Sequence, residues 1–283
     1  MNEKHIPKKI EIGVVIVTWN NEKDIVECLD SILNQKTDRN YQVLVLDNDS
    51  KDITTDIIKG KYLDKVVLIE SQKNLYLTGG NNQGINYFLE KEKVDKIMVL
   101  NPDTICADNL IEELASALDK NLTVGAAGPK VIFKNGVDDG LINSAGIFYD
   151  GFMQAYDIGF KEKDEGQYNV SEIVFGVTGA CIMYKVDMLK EIGLYWERIK
   201  LYMDEVELFI RARKAGWQVM YYPRTHIFHK YMQSVGQSTS YKKDKEKMNT
   251  WLAIAIRHYD LRGKFAVFRK YLNFLWSSRK KPQ

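Results

Sequence analysis

Three apolar runs that each stop abruptly in a polar cluster set the tightest limit on how this chain can fold. Residues 10–18 (IEIGVVIVT) end at Thr18, Trp19 and Asn20, residues 41–46 (YQVLVL) at Asp47, Asn48, Asp49 and Ser50, and residues 97–100 (IMVL) at Asn101, Pro102 and Asp103. Short β-rich runs bounded in this way read as buried strands. Between them lie an amphipathic helix with Ile25, Cys28, Leu29, Ile32 and Leu33 on one face and a shorter helix over residues 53–59, while residues 66–70 form a further strand. Alternation with short connections implies right-handed crossovers, hence an α/β fold with a mostly parallel sheet flanked by helices. Ligands of such sheets sit at the carboxyl ends of the strands, where all three polar clusters are delivered. Pro102 cannot donate to a strand ladder, so it ends the pairing and sets Asp103 where a metal ion or diphosphate could reach it. The same residues also compose an ordinary strand-to-loop turn.

Composition narrows the class. With 283 residues, 45% of them hydrophobic, the chain can bury one large core and still carry an appendage. No apolar run approaches the roughly 20 residues that span a bilayer, and the polar start MNEKHIPKK lacks a secretory segment, so a cytoplasmic location is expected. Cys28, Cys106 and Cys181 are widely spaced in apolar or helical surroundings, which fits reduced packing residues and not a thiol catalyst or zinc site. Of 40 basic and 38 acidic residues, eight and one lie from Arg257 onward, so the tail carries about +7 and the remainder about −5. A tail of that sign seeks an anionic partner, but it is too short, and the main body too acidic, for nucleic-acid binding.

The segment NLYLTGGNNQG, residues 74–84, opens a helix bearing Ile85, Phe88 and Leu89. Paired glycines there let backbone approach a ligand and leave amides for an anion; they serve a plain turn into the helix equally well. Residues 131–152 and 157–166 are rich in turn-forming and charged residues, as expected of loops and a hairpin over the site. Residues 175–184 (FGVTGACIMY) read as a strand interrupted at Gly179. After Tyr241 the chain turns helical. Met248, Trp251, Leu252, Ala255, Ile256 and Tyr259 form one apolar stripe, and after Gly263 a second follows with Phe265, Phe268, Leu272, Leu275 and Trp276. The first fits packing on the main body. The second, set among Lys264, Arg269, Lys270 and the terminal RKK, fits a helix lying on anionic lipid or a contact with a second copy. The reading divides the chain into residues 1–240, a nucleotide-binding half over about 8–130 and a second half over 131–240, and a basic helical tail over 241–283.

In order along the chain, VVIVTWNNEKDIVECLDSILNQ, VLVLDNDSKD, NLYLTGGNNQGI, VLNPDT, VTGACIMYKVDML and LYMDEVELFIRARKAGWQVMYYP resemble the inverting family 2 glycosyltransferases of GT-A fold. The GGNNQG and NPDT segments are most similar to those of bacterial rhamnosyltransferases that build cell-wall or surface polysaccharide. The resemblance covers residues 10–235, and several motifs in the right order are more specific than any one.

That resemblance implies a set of roles. Thr18 and Asn20 would line the nucleotide pocket and Asp47 would accept a hydrogen bond from the pyrimidine, where an Asx-turn closing DNDS is the plainer alternative. Asn74, Gly80 and Asn82 would lie near nucleotide or sugar, helix capping being the other use of such asparagines. Asp103, with Asn101 beside it, would take the place of the metal-binding carboxylate, and His229 would complete the site for Mg²⁺ or Mn²⁺. Thr178, Gly179 and Ala180 would touch sugar and acceptor. Where the family has Glu-Asp-x-Asp-Leu, this chain has Asp204, Glu205, Val206, Glu207 and Leu208. Register assigns the catalytic base to Glu205, with Asp204 a second candidate, because the extra methylene moves the carboxylate by ~1 Å. Three acids there also suit a helix N-terminus. The donor implied is dTDP-rhamnose, with a UDP-hexose behind it, and the acceptor a glycan or lipid-linked glycan on the inner face of the membrane. A degenerate saccharide-binding protein is the non-enzymatic alternative.

Overall fold

A computed structural model describes residues 9–151, 154–200, 202–230 and 240–278. The chain begins β1 (Ile12–Thr18), α1 (Ile25–Leu33), β2 (Tyr41–Asp47), α2 (Thr54–Lys61), β3 (Val66–Glu70), α3 (Tyr76–Tyr87) and β4 (Lys96–Leu100). All seven residues of β1 are buried, because helices cover both faces of the sheet. Ile12, Val14 and Ile16 face a core shared with α1 and α2; Val15 and Val17 face the opposite core, shared with Ile85 of α3. The following elements are β5 (Thr104–Cys106), α4 (Leu110–Lys120), β6 (Val124–Phe133), β7 (Ile142–Ser144), β8 (Ile147–Tyr149), β9 (Ala155–Asp157), β10 (Glu172–Val174), β11 (Cys181–Lys185), α5 (Val186–Ile192), α6 (Asp204–Lys214) and β12 (Gln218–His229).

The main sheet runs β10-β12-β6-β11-β4-β1-β2-β3, with β5 on β12 and β7 on β6. Strands β1 to β4 are mutually parallel; β11 enters between β4 and β6 antiparallel to both, and β12 lies parallel to β6. The parallel half therefore ends on one edge, and β11 begins there. The stretch expected as one interrupted strand over residues 175–184 is shorter: only Cys181–Lys185 pairs along its length, and Thr178 to Ala180 form the turn that leads into it. The three cysteines are buried and unpaired, as their surroundings imply.

The tail forms α7 (Ser240–His258) and α8 (Leu261–Ser278). The break falls at Tyr259 and Asp260, ahead of Gly263, whose amide donates to Asp260 Oδ1 at 2.8 Å. The buried side of α7 carries Trp251, Ile254 and Ala255, whereas Ile256, assigned to that stripe from its spacing, is 57% exposed, because two residues turn it about 200° from the buried Ile254. The side chains of Phe265, Leu275 and Trp276 and the terminal basic residues from Arg279 lie outside the described residues. Among the described residues, no helix is long and apolar enough to cross a membrane.

Candidate active site

Register brings the first two candidates together: Thr18 at the end of β1 pairs with Asp47 at the end of β2. Both are buried. Asp47 Oδ2 accepts the Ser50 amide at 3.1 Å, so the Asx-turn exists. Its Oδ1 is nevertheless buried with no hydrogen-bond partner among the described residues. A buried carboxylate oxygen without a donor is costly, which marks this atom as one that a ligand N–H would satisfy. Asn20, in the left-handed region at φ 55°, receives the Lys51 amide on Oδ1 at 2.7 Å and so ties the β1 exit to the loop after Asp47. Asn74 Oδ1 accepts from the Asn48 side chain at 3.1 Å and the Tyr76 amide at 2.7 Å, fixing the start of α3.

Two members of the glycine-asparagine segment are differently employed. Gly80 lies inside α3 against the sheet, where an added Cβ would meet Val17 Cγ1 at 2.7 Å, so its missing side chain allows close helix-to-sheet approach, a use apart from the ligand approach expected of paired glycines at a helix start. Asn82 donates to the Tyr195 carbonyl at 2.9 Å and accepts the Tyr195 amide at 3.0 Å, clamping the loop ahead of α6.

On the other side of β1, the end of β4 meets the start of β11: the Asn101 amide donates to the Ala180 carbonyl at 3.0 Å. Asp103 is buried and faces His229, whose Nε2 lies 3.2 Å from Asp103 Oδ1. Burial alone would raise the Asp103 pKa, but His229 opposite and Lys230 behind hold it below the ordinary carboxylate value, so it is ionised at neutral pH. His229 Nδ1 faces Asn143 Oδ1 at 2.9 Å, an acceptor that places the hydrogen on Nδ1. The other ring nitrogen faces the Asp103 carboxylate, so an imidazole nitrogen and a carboxylate oxygen converge on one point at the sheet edge. A carboxylate and an imidazole suit Mg²⁺ or Mn²⁺ completed by phosphates and water. Among the described residues, no three metal-ligating side chains cluster, so diphosphate oxygens would have to supply the remaining positions.

The third group sits at the start of α6. Tyr202 and Met203 precede it in the left-handed region at φ 65° and 59°, a sharp elbow that turns Asp204 and Glu205 toward the β11 end. A Cβ on Gly179 would lie 3.9 Å from the Glu205 carboxyl, so the Thr178 to Ala180 turn is the wall against which this acid stands. Burial pushes Asp204 up to about 6. It pushes Glu205 well above the usual value, reinforced by the charges of Asp204 and Asp157, and the adjacent carboxyls hold a proton between them. Asp157, at the end of β9, is missed by sequence reasoning. Opposite Ile147 in the β8–β9 hairpin, it has an Oδ1 that is buried without a partner among the described residues, and burial pushes its carboxyl up to about 6.

Residues 13–193 match the family model described as glycosyl transferase family 2, so Glu205 and His229 lie beyond the matched segment. Among curated proteins, the chain is 26% identical over 262 residues to the N-acetylglucosaminyl-diphospho-decaprenol L-rhamnosyltransferase of Mycobacterium tuberculosis, covering 87% of this chain and 85% of that one. It is 24% identical over 206 residues to a low-salt glycan biosynthesis hexosyltransferase of Haloferax volcanii, covering 73% of this chain but only 62% of the relative. The solved structure of GalNAc-T7 with UDP, GalNAc and Mn²⁺ superposes with a TM-score of 0.66 at 15% identity, over 87% of this chain and 48% of that one. The fold is GT-A.

Proposed function

From the premise that this chain belongs to glycosyl transferase family 2, we propose that it transfers a sugar, rhamnose in the first instance, from a nucleoside-diphosphate donor to a lipid-linked glycan during surface-polysaccharide synthesis. The observation that carries this reading is the meeting at one sheet edge of the unsatisfied Asp47 oxygen, the Asp103–His229 pair and the buried Asp204 with half-buried Glu205 beside it. Asp47 receives the pyrimidine N–H and Thr18 borders the base. Asp103 and His229 are the residues that would hold a divalent ion, which neutralises charge on a departing diphosphate. Glu205 takes the proton from the acceptor hydroxyl as that oxygen attacks the anomeric carbon opposite the diphosphate, inverting configuration without a covalent enzyme intermediate. The raised pKa of the carboxyl pair brings its basicity nearer to neutral pH, where a general base works best. The 87% coverage of the mycobacterial relative supports rhamnose and a polyprenyl-linked acceptor.

The tail supports a place on the inner membrane surface. Phe268 is 47% and Leu272 49% exposed, one turn apart on α8, with Lys264, Arg269 and Lys270 exposed around them. Such a helix lies in an anionic interface.

The deciding experiment is a thermal-shift screen of dTDP- and UDP-sugars with and without Mn²⁺ or Mg²⁺, on wild type and Asp103→Ala. A metal-dependent rise with dTDP-rhamnose that disappears in the variant supports the reading. A rise confined to UDP-hexoses reassigns the donor, and no rise with any nucleotide overturns the transferase and leaves a saccharide-binding protein.

A further inference from the structure

Glu207, two residues beyond Glu205 on α6, is fully buried and bound from three directions. Arg211, one turn on, donates through Nη2 at 2.9 Å, Arg257 through Nη1 at 3.0 Å, and His258 through Nε2 at 2.9 Å. Arg257 and His258 end α7, so two of the three donors come from the tail. Lys214 stands 3.4 Å from His258 Nδ1 on the far side. Arg257 also lies over the Trp196 ring at 4.6 Å, gripping the loop that leads into α6.

The same helix holds the elbow. Lys247 of α7 stands over the Tyr202 ring at 6.0 Å, and Val206 and Ile210 of α6 join Trp251, Ile254, Ala255 and Val267 in one apolar cluster. Tyr149 bridges the hairpin that carries Asp157 to the tail, its hydroxyl 2.6 Å from that of Tyr259 and its ring stacked on Trp251. Consecutive left-handed residues without glycine are unfavourable and persist only where surrounding contacts hold them. Contacts of that kind come here from α7, which reaches the elbow at Tyr202 and the first turn of α6 at Glu207.

We propose that the tail is a positioning element for the reaction: Arg257 and His258, through Glu207, fix the helix turn that presents Glu205 to the acceptor. The proposal rests on the transferase reading for its kinetic consequence but not for its structural one. A shift of ~1 Å in a reacting group can reduce rate about 100-fold without touching the donor site.

The test uses full-length His258→Ala, Arg257→Ala and the conservative His258→Gln, which retains a donor of similar reach. Steady-state kinetics should show kcat reduced at least tenfold in both alanine variants, with KM and thermal shift for the donor unchanged, and most of kcat restored in His258→Gln. Hydrogen exchange, read in parallel, should be roughly tenfold faster at amides 205–208 in the alanine variants. If His258→Ala does not fold, Arg257→Ala, 36% exposed, carries both readouts alone. Unchanged kcat with unchanged exchange overturns the proposal, as does a fall in donor affinity and melting temperature alone. A wild type that transfers no sugar would defeat the transferase reading, while exchange would still decide whether α7 holds α6.

Discussion

Gly80→Ala separates the two uses of a glycine at the start of α3. A methyl group there would approach Val17 Cγ1 to 2.7 Å and Cγ2 to 3.1 Å, with Leu46 Cδ2 at 3.5 Å. Carbon atoms rest at about 3.5–4.0 Å, so the nearest contact is too close by ~1 Å. Val17 is β-branched, buried and fixed in β1, and cannot swing aside; α3 has to lift from the sheet instead. Overpacking of this kind costs about 3 kcal/mol at the upper end, and replacing a helical glycine by alanine returns ~1 kcal/mol, leaving about 2 kcal/mol of net destabilisation. For a chain of this size that lowers the melting temperature by roughly 5 °C. Gly60→Ala in α2 is the control: a Cβ there meets nothing within 4 Å, so the substitution should raise stability slightly. Differential scanning calorimetry of both variants, with donor titrations, reads the result. A Gly80→Ala protein that melts at the wild-type temperature yet no longer binds nucleotide would refute the packing argument and return Gly80 to the ligand.

Other outcomes are as definite. Glu205→Gln should reduce transfer by about 100-fold or more while the donor-induced thermal shift persists; equal loss of both would remove Glu205 from the base role. Because Glu205 accepts a proton only after its pair with Asp204 has released the shared one, and Asp204 is pushed up to about 6, the rate should fall as pH drops below neutral. Asp204→Asn, which removes the neighbouring charge, should move that acid limb to lower pH, and an unmoved limb would deny the coupling. Burial tends to raise the Glu207 pKa, but His258, Arg211 and Arg257 hold it below the ordinary glutamate value. Its contribution to tail docking is therefore full only above the ordinary glutamate value, ~pH 4.5, and lost as pH falls through the lowered one, visible as acid-induced exchange in α7; docking lost instead on raising the pH would contradict this sign. Phe268→Ser with Leu272→Ser should abolish co-sedimentation with phosphatidylserine vesicles, and undiminished sedimentation would remove α8 from the membrane.

What the sequence made legible was whatever depends on short-range pattern. The β1 run was readable because both faces are buried, and the placement of Thr18, Asp47 and Asp103 at one sheet edge was readable because each ends or closely follows such a run. Gly80 was not separable, since a glycine looks the same whether a phosphate or a valine needs the space. Asp157 stayed hidden because its position is set by pairing between two three-residue strands, too short to show alternation. Glu207 read as a helix N-terminal acid because its partner His258 lies 51 positions further along. Ile254 and Ile256 differ by two positions and 100° steps alone would let either face inward, so only the docking of Trp251 on Tyr149 decides between them. The proposed donor side of the site is thus written in strand endings, whereas the proposed base, Glu205, stands where contacts between distant segments meet. Changes in the hairpin or tail can therefore alter the geometry at Glu205 while leaving the donor pocket intact.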